Sequence, residues 1–283
     1  MRDREQLKRP QKGAVPTAGP LPASITGMRI RDCVIGVLVV LVVALVSGIA
    51  EPQRVPDTLP AQYTDAEFWK LVTDFSERGG SFPYENFVSN ERNYQVVLPD
   101  VKRVIQPGGV YLGVAPEQNF TYIAAIQPKV AFIFDIRRQN LIELLMYKAL
   151  FEMAPDRIEF ASRLFSRKVP MVVGATVSAT ELMNALNAAK PDAQLYAETL
   201  QAMRNRLVRQ HQFPLSDDDL GKIDYIFKVF YLGGPRMDYG YASASPNASV
   251  PSYYNLMVAT DGRGKNWAFL ANDENYRFVR TMH

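Results

Sequence analysis

Gly113 and Asp135 have the residue types and the spacing of a nucleoside-binding unit. Gly113 lies near the end of the apolar segment 110–114, and Asp135 ends a second apolar segment, "KVAFIFD". In nucleotide-binding sheets the turn after the first strand approaches the ligand through its backbone, and an acid at the end of the second strand accepts hydrogen bonds from ribose hydroxyls. The separation is close to the ~20 residues expected between the glycine turn and the acid. The spacing therefore predicts a nucleoside ligand.

The turn itself, "GVAPEQN", argues against a dinucleotide. It lacks the second and third glycines of the G-x-G-x-x-G pattern. Glu117, at the start of the following helix, would also repel a pyrophosphate at the position where a helix dipole normally attracts one. S-adenosylmethionine contains adenosine without a phosphate and fits this turn. The candidate cofactor-binding residues are Gly113, Ala115, Glu117, Gln118, Asn119 and Asp135.

The spacing also leaves open a plain β-α-β crossover without a ligand. In that alternative Gly113 provides a tight turn, Glu117 complements the helix dipole, and Asp135 caps the next helix.

Glu91 and Asp261 are the candidate catalytic residues, placed to meet a methyl acceptor. Methyl transfer depends mainly on holding the nucleophile in line with the sulfonium, so it needs few catalytic side chains. Asp261 follows a predicted short strand, "NLMVAT", and sites in open α/β sheets lie beyond the carboxyl ends of strands. The same aspartate is also typical of a simple turn. A hydrolase using paired carboxylates would draw on Glu85, Glu91, Asp135 and Asp261, but no spacing pairs any two of them.

Cysteine and histidine are too scarce for several common kinds of site. Cys33 is the single cysteine, and the two histidines are His211 and His283. A disulfide within the chain, a thiolate metal cage, a Ser/His/Asp relay and a multi-histidine metal site are therefore not expected. The net charge of +3 is too small to indicate a nucleic-acid partner. The acidic triplet 217–219 is typical of a helix start rather than of a calcium loop.

The elements that would position these residues alternate between helix and strand. Capping boxes at Thr64/Glu67 and Ser178/Glu181 predict helix starts, and Ser216 before the acidic triplet predicts another. With 47% hydrophobic residues, the chain is long enough for one large α/β domain or two small ones. It ends on a predicted helix, "ENYRFVRTMH", so we expect the mostly parallel sheet to be incomplete at its C-terminal end.

The N-terminal region predicts a membrane connection. Residues 1–32 form a basic tail, 33–50 an uncharged apolar segment of nearly the ~20 residues that span a bilayer, 51–60 a linker, and 61–283 the α/β domain. The positive charges precede the apolar segment, which places the domain outside the cytoplasm. The alternative is a cleaved signal peptide that begins at Met28 and ends at "SGIA". The protein is then either anchored by a single hydrophobic helix or exported.

Three long segments, "SNERNYQVVLPDV", "GGVYLGVAPEQNFTYIAAIQPKVAFIFDIRRQNL" and "LMYKALFEMAPDRIEFASRLFSR", resemble an uncharacterised bacterial protein family. That family is similar in fold to class I S-adenosylmethionine-dependent methyltransferases. The resemblance runs from about Leu59 to the end and implies a Rossmann-like domain. It places the cofactor turn at 111–119, the ribose acid at Asp135 and a loop beside the cleft at 89–91. In the family a glycine usually stands where this chain has Ala115.

Two functions remain open. One is an S-adenosylmethionine-dependent methyltransferase of unknown substrate. The other is a membrane-anchored or exported binding protein that has kept the scaffold and lost the chemistry, which the outward orientation favours because S-adenosylmethionine is made in the cytosol. Both imply a small-molecule ligand, and fold alone does not choose between them.

Overall fold

A computed structural model of the chain describes residues 59–60, 62–114, 116–170, 176–241 and 250–283. The chain divides into two units, Met1–Ala61 and Gln62–His283, and the helices and strands below belong to the second. The basic tail, the apolar segment 33–50 and most of the linker lie outside the described residues. Within the described part, no helix combines the length and the apolar character needed to cross a membrane.

The described residues form ten α-helices and two β-strands. In chain order they are α1 (Asp65–Phe75), α2 (Leu98–Val104), β1 (Val110–Val114), α3 (Gln118–Ile126), β2 (Val130–Phe134), α4 (Arg138–Met153), α5 (Arg157–Phe165), α6 (Ala179–Ala188), α7 (Ala193–Asn205), α8 (Asp217–Gly233), α9 (Tyr253–Val258) and α10 (Asp273–Met282). Short 3-10 helices at Tyr94–Val97 and Gly234–Arg236 and a π-helical turn at Arg206–Gln210 complete the described elements.

The predicted fold class is wrong. The described residues are 57% helix and 6% strand, so the domain is not a Rossmann-like, methyltransferase-like α/β domain built on a mostly parallel sheet. The core consists of helices that pack on helices. α4 lies at its centre with ten buried residues and contacts α5, α7 and α8. Aromatic rings of α3, α4 and α5 fill the interior, including Phe120, Phe151 and Phe160.

β1 and β2 form a two-stranded parallel sheet joined by α3. Val110 pairs with Val130, and Val114 pairs with Phe134. One face of β1 carries Tyr111 and Gly113 towards α3. Parallel sheets normally have helices on both faces, yet the other face of β1 remains largely exposed in the described part of the chain. The predicted β-α-β unit is therefore confirmed, whereas the predicted larger sheet is wrong.

The predicted strand "NLMVAT" is helical. The hydroxyl of Ser252 and the side chain of Asn255 form a capping box at the start of α9. Tyr253, Leu256 and Met257 then fall on one buried face at helical spacing. The cap and this spacing outweigh the β-propensity of a short apolar segment.

The predicted helix starts are confirmed. Thr64 and Glu67 form both bonds of a capping box before α1, and Ser178 and Glu181 do so before α6. Ser216 is the N-cap of α8, and Asp219 completes its capping box.

Candidate carboxylate site at the strand ends

The parallel pairing of β1 and β2 brings their carboxyl ends together, and Glu117 and Asp135 follow those ends. Glu117 is the N-cap residue of α3, and its side chain is completely buried. The backbone N–H of Ser89 donates to its carboxylate, at 3.2 Å to Oε2 and 3.4 Å to Oε1. Burial raises the pKa of Glu117 to about 8, because a low-polarity interior disfavours the charged form. Glu117 is therefore an acid that titrates near neutral pH.

Glu143 is a second buried acid beside Glu117. It lies on α4 with 1% of its surface exposed. Among the described residues neither of its carboxyl oxygens has a hydrogen-bond partner. Burial and the charge of Glu117 hold the pKa of Glu143 well above its usual range, against the opposing charge of Arg137. Buried polar atoms are nearly always paired in proteins, so two unpaired oxygens on one acid mark an unusual site.

Two tyrosines extend this polar interior. Tyr147 lies one turn after Glu143 on α4, and Tyr253 begins α9. Both side chains are fully buried; their hydroxyls interact with each other and make no other hydrogen bond within the described part of the chain. Burial raises the pKa of both; the neighbouring Tyr253 adds to the effect on Tyr147, and Glu117 adds to the effect on Tyr253. We call Glu117, Glu143, Tyr147 and Tyr253 the carboxylate site.

Loop 85–89 covers the strand ends next to this site. Its backbone carbonyls accept hydrogen bonds from the Arg137 guanidinium, at Glu85, and from the Asn140 amide, at Asn86. The side-chain amide of Asn86 donates to the Asp135 carboxylate at 3.4 Å, and the backbone N–H of Ser89 donates to the Glu117 carboxylate. These bonds fix the loop against the strand ends and the start of α4.

The residues predicted to approach a cofactor at the turn mostly hold the turn together instead. The amide of Asn119 donates to the carbonyls of Val114 and Pro116, each at 2.7 Å, and its oxygen accepts from the Tyr111 hydroxyl at 2.6 Å. A Cβ atom at Gly113 would overlap the side chains of Asn119 and Tyr111. Glycine is thus required at 113 because two side chains of the protein itself fill the space beside it.

Two of the other predicted cofactor residues, Gln118 and Asp135, form hydrogen bonds within the protein. Gln118 bonds the hydroxyl of Ser89 through its side-chain oxygen. Asp135, half-buried, accepts from the backbone N–H of Arg137, the residue before α4, at 3.0 Å. Ala115 lies outside the described residues. The structure therefore brings Glu117, Gln118 and loop 89–91 together at the strand ends.

The two predicted catalytic residues have different positions. Glu91 is exposed, its backbone N–H donates to the Ser89 hydroxyl, and its charge contributes to the raised pKa of Tyr122 after burial. Asp261 is buried in its own loop, where it accepts from the Trp267 indole at 3.0 Å and from the backbone N–H of Arg263 at 2.8 Å. These bonds lower the pKa of Asp261, with the Trp267 bond as the largest cause. Asp261 closes a turn, which was the alternative left open by its sequence.

Glu143, Tyr147 and Tyr253 were missed from the sequence. A signal for Glu143 was present, because it interrupts the otherwise apolar segment "LIELLM" within the buried α4. An acid inside such a helix must either find a partner or remain neutral. Tyr253 carried no comparable signal, since only the packing of α9 brings it near the two acids.

The carboxylate site fits part of what S-adenosylmethionine requires. The unpaired oxygens of Glu143 suit a sulfonium or ammonium group, whereas the side chains of Asn119 and Tyr111 fill the space on the Cβ side of Gly113. No cluster of three or more histidine, cysteine, aspartate or glutamate side chains in the described part of the chain has the arrangement of a metal site.

Comparison with known proteins gives a family but no activity. No curated protein matches this chain. The family model for a domain of unknown function, DUF7790, matches residues 86–283, a region that includes the carboxylate site and every described element from the 3-10 helix at Tyr94–Val97 onwards. The chain therefore belongs to the DUF7790 family.

Proposed function

We propose that the domain binds a small cationic ligand at the carboxylate site, with Glu117 and Glu143 as its counter-charges. The observation that carries the proposal is the Glu143 carboxyl group, which is almost fully buried and has no hydrogen-bond partner among the described residues. A buried polar group without a partner costs roughly 1–3 kcal/mol. An ammonium group would donate the missing hydrogen bond, and a sulfonium group would supply an opposite charge. Binding of either group would explain why an acid is kept at this buried position.

The tyrosines support the same ligand class. The hydroxyls of Tyr147 and Tyr253 interact only with each other among the described residues, and their rings provide aromatic surface beside the acids. Aromatic faces attract cations. Two acids and two tyrosines in one buried space therefore favour a cation over an anion.

Proton release should accompany binding. Burial raises the pKa of both acids, that of Glu117 to about 8, so Glu117 is largely neutral at pH 7 before the ligand arrives. A bound cation favours the ionised form and would displace a proton. We therefore expect the affinity to increase as the pH rises towards about 8, the pKa of Glu117, and then to level off.

S-adenosylmethionine is the first ligand to test, because it carries a sulfonium and is the cofactor that the family resemblance implies. Its demethylated product, S-adenosylhomocysteine, has a neutral thioether at the same position. Calorimetric titration of the full chain with both compounds should show tighter binding of the sulfonium. The Glu143→Gln variant should remove the difference, and Glu77→Gln, at an exposed position away from the site residues, should preserve it. Equal affinities in the wild-type protein would exclude this sulfonium as the recognised group.

The stability of the free protein provides a test that needs no ligand. Replacing Glu143 by methionine, of similar size, removes the unpaired acid and should raise the free energy of unfolding by about 1–3 kcal/mol. A binding residue commonly costs stability in this way. A loss of stability would instead show that Glu143 serves the fold, and would contradict the proposal.

Methyl transfer is the second candidate function. The observation in its favour is the pKa of Glu117 near 8, since an acid that titrates close to the working pH is suited to accept a proton from a methyl acceptor. Incubation with labelled S-adenosylmethionine and a cell extract should then label an extract component, and the Glu117→Gln variant should not label it.

The predicted location of the domain bears on this choice. An N-terminal anchor or a cleaved signal peptide would place the domain outside the cytoplasm, away from the source of S-adenosylmethionine, and would favour ligand binding over methyl transfer. Protease treatment of intact cells that produce the full chain tests the location, because an outward-facing domain is digested while a cytoplasmic control protein survives.

A further inference from the structure

A polar groove lies between α6 and the start of α9, and its chemistry differs from that of the carboxylate site. Its volume is about 380 Å³, within the range of small-molecule sites. No acidic side chain lines it. The lining residues, which we call the amide groove, are Asn184, Asn187, Arg236, Ser252, Tyr254 and Asn255.

The oxygen atoms of all three asparagine side chains in the groove are already occupied. Asn187 Oδ1 accepts from Arg236 Nε at 3.2 Å. Asn255 Oδ1 accepts from the backbone N–H of Ser252 at 3.1 Å. Arginine and a backbone N–H can only donate, so these two contacts fix which end of each amide faces its partner. Asn184 Oδ1 accepts from the Tyr254 hydroxyl at 2.9 Å.

The groups left over are donors. The NH₂ groups of Asn184, Asn187 and Asn255 and the terminal nitrogens of Arg236 form no hydrogen bond with a described residue. Arg236 is exposed and forms no ion pair with a described residue. The groove thus combines one positive charge with three amide donors, and its acceptor oxygens are occupied within the protein.

We propose that the amide groove binds an oxyanion, a carboxylate or phosphoryl group of a small molecule. An oxyanion offers only acceptors and a negative charge, which complements this set of donors. The guanidinium fork of Arg236 matches two oxygens of either group. The site is separate from the proposed cation site in both residues and charge, so it stands whether or not the carboxylate site binds a cation.

Titration of the full chain with simple anions tests this site. The probes are inorganic phosphate and acetate, and chloride keeps the ionic strength constant. The NMR signals to follow are the side-chain NH₂ resonances of Asn184 and Asn187, which serine substitution at each position assigns. We expect saturable shifts with at least one probe. Saturation by phosphate alone identifies a phosphoryl site, and saturation by acetate identifies a carboxylate site.

Substitution of Arg236 provides the control. Arg236→Gln should weaken the saturable binding about tenfold, and Arg236→Lys, which keeps the charge without the fork, should have a smaller effect. Arg277→Gln removes an arginine that does not line the groove and should leave binding unchanged. The proposal is overturned if neither probe gives saturable shifts, or if the wild-type and Arg236→Gln proteins bind the probe equally well. Because Arg236 is exposed, the variant is expected to fold, which circular dichroism can verify.

Discussion

The charge of Glu117, at the start of α3, raises the pKa of Glu143 in the middle of α4, although the two residues come from different helices. Burial is the larger cause for both acids. Two neighbouring acids with raised pKa values make the stability of the domain depend on pH, and Glu117, with a pKa of about 8, does so over a range in which ordinary surface glutamates no longer titrate.

Glu117→Gln should make the free energy of unfolding less dependent on pH. The pKa of Glu117 is about 8 in the folded protein and near 4.5 when unfolded, so the folded state binds the extra proton. The stability that this proton provides is complete below pH 4.5 and is lost as the pH rises through 8. At about 1.4 kcal/mol per pKa unit, the loss is on the order of 5 kcal/mol at most. Denaturant unfolding between pH 5 and 9 measures it.

The Glu77→Gln variant, at an exposed position, is the control, and its unfolding profile should follow that of the wild-type protein. Because Glu143 also has a raised pKa, the profile of Glu117→Gln should be less steep than that of the wild type but not flat. Profiles of equal slope for Glu117→Gln and the wild type would mean that Glu117 ionises normally in the folded protein.

Gly113→Ala should destabilise the domain by about 1–3 kcal/mol, because the new methyl group would overlap the side chains of Asn119 and Tyr111. Gly109→Ala is a matched control, since a Cβ there meets no atom within 4 Å. Thermal unfolding distinguishes the two variants. A cofactor contact at Gly113 would give a different result, namely loss of ligand binding with normal stability.

The sequence predicted the local elements around the site but not the packing between them. Spacing correctly placed β1, α3 and β2, and the capping boxes at Thr64 and Ser178 correctly marked helix starts. The predicted Rossmann-like sheet was wrong, because the number of strands depends on which apolar segments pair over long distances. Tertiary packing and a cap made "NLMVAT" a helix instead of a strand.

The candidate site was only partly accessible to sequence reasoning for the same reason. Glu117 was selected because it follows a strand, and the structure places it in the carboxylate site. Asn119 was selected for the same reason, but its amide forms hydrogen bonds within the turn. Spacing identifies which residues lie at a strand end, whereas the direction and partners of each side chain come from the neighbouring helices.

Arg157→Leu should lower the free energy of unfolding by roughly 3–5 kcal/mol. Arg157 is 1% exposed on α5 and donates to Asp273 Oδ1 at 2.9 Å and to the Leu270 carbonyl at 3.0 Å. Removing the guanidinium would leave these oxygens without a donor. Arg163→Leu, on the same helix, breaks a partly exposed pair with Glu159 and should cost no more than about 1 kcal/mol. Denaturant unfolding would contradict this account if the two variants were equally stable.

His211→Phe should loosen α1 without unfolding the rest of the domain. His211 joins two carboxylates, with Nδ1 2.7 Å from Asp65 Oδ1 at the start of α1 and Nε2 2.8 Å from Glu152 Oε2 near the end of α4. α1 has no buried residue, so its attachment depends on such contacts and on the stacking of Trp69 against Phe213. Phenylalanine can preserve the stacking of residue 211 on Phe213 but provides neither hydrogen bond.

Hydrogen exchange measures this loosening. Loss of bonds worth about 1–2 kcal/mol should speed amide exchange in α1 by roughly tenfold or more, while α6 keeps its wild-type rates. Lys70→Ala, which removes an exposed pair with Asp74 on α1 itself, should have little effect. If α1 exchanged at the same rate in His211→Phe as in the wild type, aromatic stacking alone would hold the helix, and the two carboxylate contacts would contribute nothing to its attachment.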